Sequence, residues 1–117
     1  MHGFTDDLDF SHLVGGEVVE VNVAPYNLQF VFDPRNAINI SGRWRILDDQ
    51  GAVIDSGDAQ AHGETLRAHR LLGRKIASCR PRDLRTLVAR FEDDWTLEIL
   101  DDDPRYECCY ISPNFWI

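Results

Sequence analysis

Several features that mark common functional classes are missing from this 117-residue chain. Its apolar runs fall far short of the about 18 residues of a membrane-spanning helix, and no signal peptide is visible at its N-terminus. Basic residues number 12 against 20 acidic ones, and the net charge of −8 argues against nucleic acid, because phosphate binding needs a basic surface. Its three cysteines, two of them adjacent, make a poor disulfide framework. We therefore expect a cytoplasmic protein whose partners include neither membrane nor nucleic acid.

Catalytic and metal-binding motifs are missing as well. The chain has no glycine-rich phosphate loop, no Gly-x-Ser-x-Gly turn and no His-Glu-x-x-His helix. His62, Glu64 and His69 lie close in sequence, but their spacing matches no recurring ligand set, so we interpret them as part of a solvated loop. Cys108 and Cys109 are expected on opposite faces of one strand, which separates their sulfur atoms. The sequence therefore predicts no enzymatic activity, no cofactor and no metal site.

The most informative feature that is present is an internal duplication. Three segments return later in the chain: 13–18 (LVGGEV) as 71–76 (LLGRKI), 28–33 (LQFVFD) as 87–92 (LVARFE), and 37–40 (AINI) as 96–99 (TLEI). The offset is 58 residues at the first match and 59 at the other two. Two similar copies in one chain predict a fold with a pseudo-two-fold axis.

The residue pattern predicts β-structure throughout. β-branched and aromatic residues alternate with polar ones in short segments that are bounded by turn residues. We predict an all-β fold with minor helix, in which two duplicated antiparallel β-units pack as a sandwich or a partly open barrel. The chain is expected to form one domain, 1–117, divided into leader, first repeat, connector, second repeat and tail: 1–12, 13–56, 57–70, 71–111 and 112–117. The predicted inward positions are Val19, Val21, Leu28, Phe30, Phe32, Ile38, Ile40, Leu87, Ala89, Phe91, Leu97 and Ile99.

Acidic residues cluster at two predicted turns. We predict that five aspartates form one partner-binding face: Asp48, Asp49, Asp101, Asp102 and Asp103. Clustered carboxylates attract and complement basic groups, so the expected partner is a basic protein. A second interpretation of the same residues is that they keep turns soluble and deter edge-to-edge pairing of strands.

The chain ends on three large apolar residues, Phe115, Trp116 and Ile117. An apolar chain end is usually docked, because an exposed one would leave a sticky patch. Docking onto a second copy predicts a homodimer with these three residues in its interface. Docking onto the core of the same chain is the alternative.

Four segments carry a resemblance to a known family: 71–76 (LLGRKI), 87–94 (LVARFEDD), 97–99 (LEI) and 103–107 (DPRYE). Through them the second copy resembles an uncharacterised family of small, internally duplicated bacterial proteins, known only as a domain of unknown function. This chain has Trp95 where the family tends to have glycine, and Cys109 where the family often has an aromatic residue. The resemblance implies a bacterial cytoplasmic protein of duplicated β-architecture, and it brings no catalytic residues with it.

These features together predict a protein that acts by binding. We expect a protein–protein interaction module, of immunity or accessory type, with an acidic partner-binding face. The alternative is a small-molecule binder or enzyme that uses a cavity between the two repeats. Trp44, Trp95 and Tyr106 are candidates to line that cavity, although packing in the core is the role we expect of these rings. A deep pocket with converging polar groups would favour the alternative, and a flat acidic face would favour the module.

Overall fold

In the part of the chain that the structure describes, ten strands form two five-stranded antiparallel sheets that pack face to face without closing into a barrel. The computed structural model describes residues 3–5, 8–58, 67–101 and 108–112, and the backbone of 115 and 116. In the first half the elements are η1 (Ser11–Leu13, a 3₁₀ turn), β1 (Glu17–Ala24), β2 (Asn27–Asp33), β3 (Asn36–Ile40), β4 (Arg43–Leu47) and β5 (Val53–Asp58). In the second half they are η2 (Ala68–Leu71, also 3₁₀), β6 (Ile76–Asp83), β7 (Thr86–Phe91), β8 (Thr96–Leu100), β9 (Cys109–Ile111) and β10 (Phe115–Trp116).

Each half of the chain builds three strands of one sheet and then gives a hairpin to the other sheet. The first sheet has the strand order β1-β2-β3-β9-β10, and the second has β6-β7-β8-β4-β5. A three-stranded meander alone leaves its apolar face open to water, so each half needs the other for its core. The all-β, duplicated fold predicted from the sequence is confirmed, with the two halves intertwined.

A short ribbon joins the starts of β1 and β6 and marks the pseudo-two-fold axis. Glu17 pairs with Lys75 in an antiparallel bridge, and these two positions are equivalent in the two repeats. The hydrogen bonds beside the bridge form an equivalent couple, of 2.8 and 2.7 Å: Gly15 N–H to the Ile76 carbonyl, and Gly73 N–H to the Val18 carbonyl. The axis therefore passes between Glu17 and Lys75.

The glycine of each Leu-x-Gly motif ends a 3₁₀ turn in the same left-handed conformation. Gly15 has φ of +85° and Gly73 has φ of +84°. A Cβ atom at either position would meet no atom within 4 Å, so the backbone dihedral, and not lack of space, requires glycine here. The motif seen twice in the sequence thus encodes the same turn twice.

A β-bulge in β1 changes which valines face the core. The register of β1 against β2 shifts between Val18 and Glu20, and β6 shifts equivalently between Ile76 and Ser78. Val18 is buried and Val19 is 49% exposed, so the prediction that Val19 faces inward is wrong. A bulge adds one residue to a strand and so reverses the alternation of side chains beyond it. Beyond the bulge, Val21 packs against the core as predicted.

The core lies between the two sheets. Ten of the predicted inward positions are buried there: Leu28, Phe30, Phe32, Ile38, Ile40, Leu87, Ala89, Phe91, Leu97 and Ile99. The N-terminal segment adds Phe4 and Phe10, which are 1% and 2% exposed. The Phe4 N–H donates to the Leu84 carbonyl at 2.8 Å, so this segment is fixed along the β6–β7 turn.

The predicted connector is shorter than expected, because β5 continues to Asp58 and η2 begins at Ala68.

Candidate binding surfaces

The structure separates the aspartates that were predicted to form one face. Asp48 and Asp49 lie in the β4–β5 turn, beside the start of β8, because the end of β4 pairs with the start of β8. Asp101 follows the opposite end of β8 and is 0% exposed, so its assignment to a surface is wrong. Asp102 and Asp103 lie outside the described residues.

Asp101 instead fastens the N-terminal segment to the end of β8. Its Oδ2 accepts the Gly3 N–H at 3.1 Å and lies 3.9 Å from Nη1 of Arg85. Its own N–H donates to the Arg85 carbonyl at 2.8 Å. A buried carboxylate needs such partners, because an unpaired charge is expensive to remove from water. The acidic run therefore begins with a structural residue that sequence alone does not distinguish from its neighbours.

Three turns meet at one end of the molecule. The β4–β5 turn lies beside the β7–β8 turn, as the pairing of β4 with β8 requires. The β2–β3 turn reaches the same end through the ribbon, because Glu17 pairs with Asp33 on one side and with Lys75 on the other. The Lys75 carbonyl in turn accepts the Glu92 N–H at 2.8 Å. We call this region the acidic end and define it by seven residues: Glu17, Asp33, Asp48, Asp49, Glu92, Asp93 and Asp94.

Arginines of the second repeat neutralise part of the acidic end. Arg74 forms an ion pair with Asp93, and Nη2 of Arg90 lies 2.6 Å from Asp94. The Arg74 guanidinium also stacks on Trp95, 3.7 Å from the ring centroid. This stacking holds Arg74 in place beside Asp93. The two aspartates of the β7–β8 turn are therefore already engaged within the chain.

Other carboxylates of the acidic end face the solvent. The exposed ones are Asp33, Asp49 and Glu92. Asp48 is half-buried, because its Oδ1 accepts the backbone N–H groups of Gln50 and Ala52, each at 2.9 Å. Asp48 thus fixes the turn that presents Asp49 to solvent.

Paired charges cover the outer face of the second sheet. Glu98, in the middle of β8, is 5% exposed and lies beneath two arginines. Arg45 contacts one carboxylate oxygen, and Nη1 of Arg82 lies 2.6 Å from the other. Across the five strands, the row of paired positions that contains Glu98 is Arg80, Val88, Glu98, Arg45 and Ser56.

Hydrogen-bonding groups without charge fill the equivalent row of the first sheet. This row, which we call the amide row, consists of Asn22, Gln29, Asn39 and Tyr110, and the backbone of Trp116 occupies the fifth position. Nδ2 of Asn22 donates to Oε1 of Gln29 at 2.8 Å. Because pseudo-symmetry makes the two rows equivalent, the fold itself accepts either charges or amides at these positions.

The alternative function needs a cavity between the repeats. A surface groove of about 470 Å³ runs between the N-terminal segment and residues 77–81 of β6. Trp44 is buried in the core, and Trp95 is half-buried beneath Arg74, so neither ring lines this groove. Tyr106 lies outside the described residues. The two rings that the structure shows therefore pack in or against the core, as expected, and do not line a cavity between the repeats.

Both adjacent cysteines are buried, so the prediction that they face opposite ways is wrong. Cys108 and Cys109 are 3% and 2% exposed, and their sulfur atoms lie 3.5 Å apart. β9 begins only at Cys109, so strand alternation does not apply to Cys108. The hydrogen bond with Cys108, together with burial, raises the pKa of Cys109, and burial raises the pKa of Cys79 to about 12. Thiols of this kind are poor nucleophiles at neutral pH.

The predicted loop of possible metal ligands is only partly described. His69 is exposed in η2, whereas His62 and Glu64 lie outside the described residues. Within the part of the chain that the structure describes, no three His, Cys, Asp or Glu side chains are grouped so that they would hold a metal ion. In the same part of the chain, no helix is long and apolar enough to cross a membrane.

The aromatic tail continues the first sheet. Phe115 pairs with Ile111 and Trp116 with Tyr110, so β10 forms an edge of this sheet within its own chain. Ile117 lies outside the described residues. The homodimer predicted from the tail stays a prediction, because backbone pairing at an edge is compatible with docking in the same chain or beside a second copy.

Comparison of the chain with models of protein families, with curated proteins and with solved structures finds no match. The resemblance to an uncharacterised bacterial family, carried by segments such as 71–76 and 87–94, therefore also stays a prediction.

Proposed function

We propose that this protein is a non-catalytic binding module of immunity or accessory type, which recognises a basic protein partner through the acidic end. The observation that carries this proposal is the convergence of three turns from both repeats at one end of the fold, where seven carboxylates outnumber four basic residues. The four basic residues are Arg35, Arg74, Lys75 and Arg90. An acidic surface speeds the encounter with a basic partner and rejects acidic ones.

The distribution of charge along the chain supports the same proposal. Residues 1–66 contain eleven acidic and three basic residues, whereas residues 67–117 contain nine of each. In the second repeat, arginines engage Asp93, Asp94 and Glu98. The negative charge that is left for a partner therefore comes mainly from the first repeat and from Glu92 beside it.

The test compares two pairs of substitutions with the same change in net charge. The first pair, Asp49→Asn with Glu92→Gln, removes two exposed charges from neighbouring turns of the acidic end. The control pair, Asp9→Asn with Asp83→Asn, removes two exposed charges from other parts of the surface. Asparagine and glutamine keep a side-chain oxygen that accepts hydrogen bonds, so both double variants are expected to fold.

A partner is first isolated by cross-linking in native cell extract and is then titrated as a purified protein. We expect the acidic-end pair to raise Kd about tenfold, the control pair to change it less than about twofold, and wild-type affinity to fall with salt. If the two pairs change Kd equally, or if the affinity for the partner does not depend on salt, the proposal is contradicted. The recovery of a tightly bound small molecule in place of a protein also contradicts it.

We also propose that β10 forms the edge through which two copies associate. Among the described strands, β10 is a terminal one of the first sheet, and the edge strand of a sheet is a template for pairing with another chain. Light scattering on the full chain and on a chain that ends at Ser112 tests this proposal. A dimer that becomes a monomer on shortening supports it, and a monomer in both cases means that the tail docks only in its own chain.

A further inference from the structure

The amide row places four hydrogen-bonding side chains at neighbouring positions on four adjacent strands. Strands lie about 4.8 Å apart, so Asn22, Gln29, Asn39 and Tyr110 form a track roughly 14 Å long on the outer face of the first sheet. Asn22 is exposed and the other three are half-buried. The side chains are therefore held by their neighbours while they remain accessible to a ligand.

The fold does not require amides at these positions. The equivalent row of the second sheet consists of Arg80, Val88, Glu98 and Arg45. In that row Glu98 forms an ion pair with Arg45. In a chain with 27% charged residues, the amide row contains no charged residue. A surface of this composition suits a neutral ligand, because a charged one would lose water without gaining an opposite charge.

The hydrogen bonds along the row fix which atoms are offered to a ligand. Nδ2 of Asn22 donates to Gln29 at 2.8 Å and to Glu20 at 2.5 Å. These bonds use the nitrogen of one amide and the oxygen of the other. The acceptor Oδ1 of Asn22 and the donor Nε2 of Gln29 remain for a ligand, side by side. Hydroxyl groups both donate and accept, so they match this alternation of acceptor and donor.

A shallow hollow of about 690 Å³ adjoins the row and shares Gln29 with it. Its volume falls within the range of about 300–1,000 Å³ that is typical of small-molecule sites. Val31 and Ala37 supply apolar surface in the hollow, and Ser112 supplies a hydroxyl group. Three charged residues at its margin, Glu20, Asp33 and Arg35, include both signs of charge, so the hollow does not select a ligand of one charge. At the other side of the row, the half-buried ring of Tyr110 adds an apolar face. Apolar surface beside hydrogen-bonding groups fits the two kinds of surface on a sugar ring.

We propose that the amide row and the adjoining hollow bind a neutral oligosaccharide. This site lies on the outer face of the first sheet and borders the acidic end at Asp33, but neither Asp49 nor Glu92 lines it. Binding of an oligosaccharide there is a function beyond the recognition of a basic protein.

The test is an NMR titration of the ¹⁵N-labelled full chain with five neutral hexasaccharides: cellohexaose, maltohexaose, xylohexaose, mannohexaose and chitohexaose. We expect at least one of them to shift the side-chain amide signals of Asn22, Gln29 and Asn39 in a saturable way, with Kd of about 1 mM or below. The Gln29→Val variant is expected to weaken that binding at least about tenfold.

Pseudo-symmetry supplies the matched control. Val88 occupies the position of the second sheet that is equivalent to Gln29. Valine is therefore compatible with the fold at this position, and the Gln29→Val variant is expected to fold. The reciprocal variant, Val88→Gln, adds an amide to the other sheet and is expected to leave binding unchanged. The acidic-end pair, Asp49→Asn with Glu92→Gln, is also expected to bind the oligosaccharide like wild type, which separates this site from the proposed protein-binding site.

The proposal is overturned if none of the five hexasaccharides gives saturable shifts, or if Gln29→Val binds as well as wild type. It is equally overturned if the shifts map to the turns that carry Asp49 and Glu92, or if the basic protein partner and not a sugar perturbs the amide row.

Discussion

The two sheets follow one strand plan, but their outer faces are built from different chemistry. At equivalent central positions the second sheet has Glu98 beneath Arg45 and Arg82, whereas the first sheet has Asn39 beside Gln29 and Tyr110. The inner faces differ far less, since both are filled by buried aliphatic and aromatic residues. The comparison shows that the duplicated fold constrains its core and its turns, and leaves the outer faces free to acquire separate functions.

Two pairs of inner positions are exceptions to this similarity, and the first is Phe30 of β2 with Ala89 of β7, both of which are buried. In the second pair, Trp44 of β4 and Cys109 of β9 are equivalent and both buried, but their volumes differ greatly. The larger ring requires a glycine beside it, because a Cβ atom on Gly57 would lie 3.0 Å from the Trp44 ring. The second sheet therefore accommodates its tryptophan by losing a side chain in the edge strand.

Core truncation gives the largest expected effect and tests whether the two repeats share the core equally. Phe32 and Phe91 are equivalent, and each is 1% exposed. We expect Phe32→Ala and Phe91→Ala each to lower the free energy of unfolding by about 3–5 kcal/mol, mainly through the cavity left behind. Urea unfolding followed by tryptophan fluorescence measures both. Val19→Ala, at an exposed position, is the control and should change stability by less than about 0.5 kcal/mol.

Similar losses for the two phenylalanines would confirm that the repeats contribute equally to one core. An unchanged unfolding midpoint for either variant would place that ring outside the core. A loss at one site several times larger than at the other would show that the core collapses around one cavity more than around the other. Two separate unfolding transitions, in place of one, would contradict a core that both halves share.

Repetition and alternation were enough to predict the all-β class and the pseudo-two-fold plan. Segments such as 28–33 and 87–92 alternate cleanly, because one face of each strand meets the core and the other meets water. The exchange of hairpins between the sheets was not predictable in the same way. It depends on which strand edges meet after the chain crosses from β3 to β4, and local pattern carries no information on that choice.

Three residue-level predictions failed for identifiable physical reasons. Strict alternation along β1 predicts that Val19 faces inward, because the sequence does not reveal the bulge that turns the neighbouring Val18 towards the core instead. Asp101 was placed on the surface because its buried partner, the Gly3 N–H, is 98 residues away in the chain. Cys108 was treated as part of a strand that begins one residue later. Each error concerns a long-range contact or a strand boundary, which a local pattern does not specify.

The Glu98 ion pairs give the next largest effect and test the difference between the outer faces directly. Glu98→Asn gives the second sheet the residue that the first has at the equivalent position. We expect this substitution to lower the free energy of unfolding by roughly 1–2 kcal/mol. This is less than the about 3–5 kcal/mol that breaking a fully buried ion pair costs, because the side chains of Arg45 and Arg82 are 41% and 50% exposed. Urea unfolding measures the loss. A double-mutant cycle with Arg82→Gln should show coupling, and strictly additive effects would mean that the contact is not energetically significant.

The left-handed glycines test whether the turns are equivalent in energy as well as in shape. Gly15→Ala and Gly73→Ala each place a Cβ atom at φ near +85°, in open space. We expect each to lower stability by about 1 kcal/mol through backbone strain alone. Thermal and urea unfolding measure both variants, and Val14→Ala at an exposed neighbouring position is the control. A clear difference in stability between the Gly15→Ala and Gly73→Ala variants would show that the backbone of one turn relaxes to reduce the strain and that the other does not.

The smallest expected effect concerns the turn between β6 and β7, where Asp83 occupies the position equivalent to Ala24. Oδ1 of Asp83 accepts the Arg85 N–H at 2.8 Å, and this bond lowers the pKa of Asp83 below its ordinary value of 3.8. A lowered pKa in the folded state means that Asp83 adds stability above the unfolded-state pKa, and that this stability is lost as pH falls through the folded-state pKa. Asp83→Ala should therefore be slightly less stable than wild type at about pH 7, with the gap narrowing only below about pH 4, as urea unfolding over a pH series would show. Asp83→Asn, which keeps the oxygen but not the charge, separates the two contributions. A gap that stays constant down to about pH 2 would mean that the ionised carboxylate is not what stabilises the turn, and that the two repeats differ here only in turn geometry.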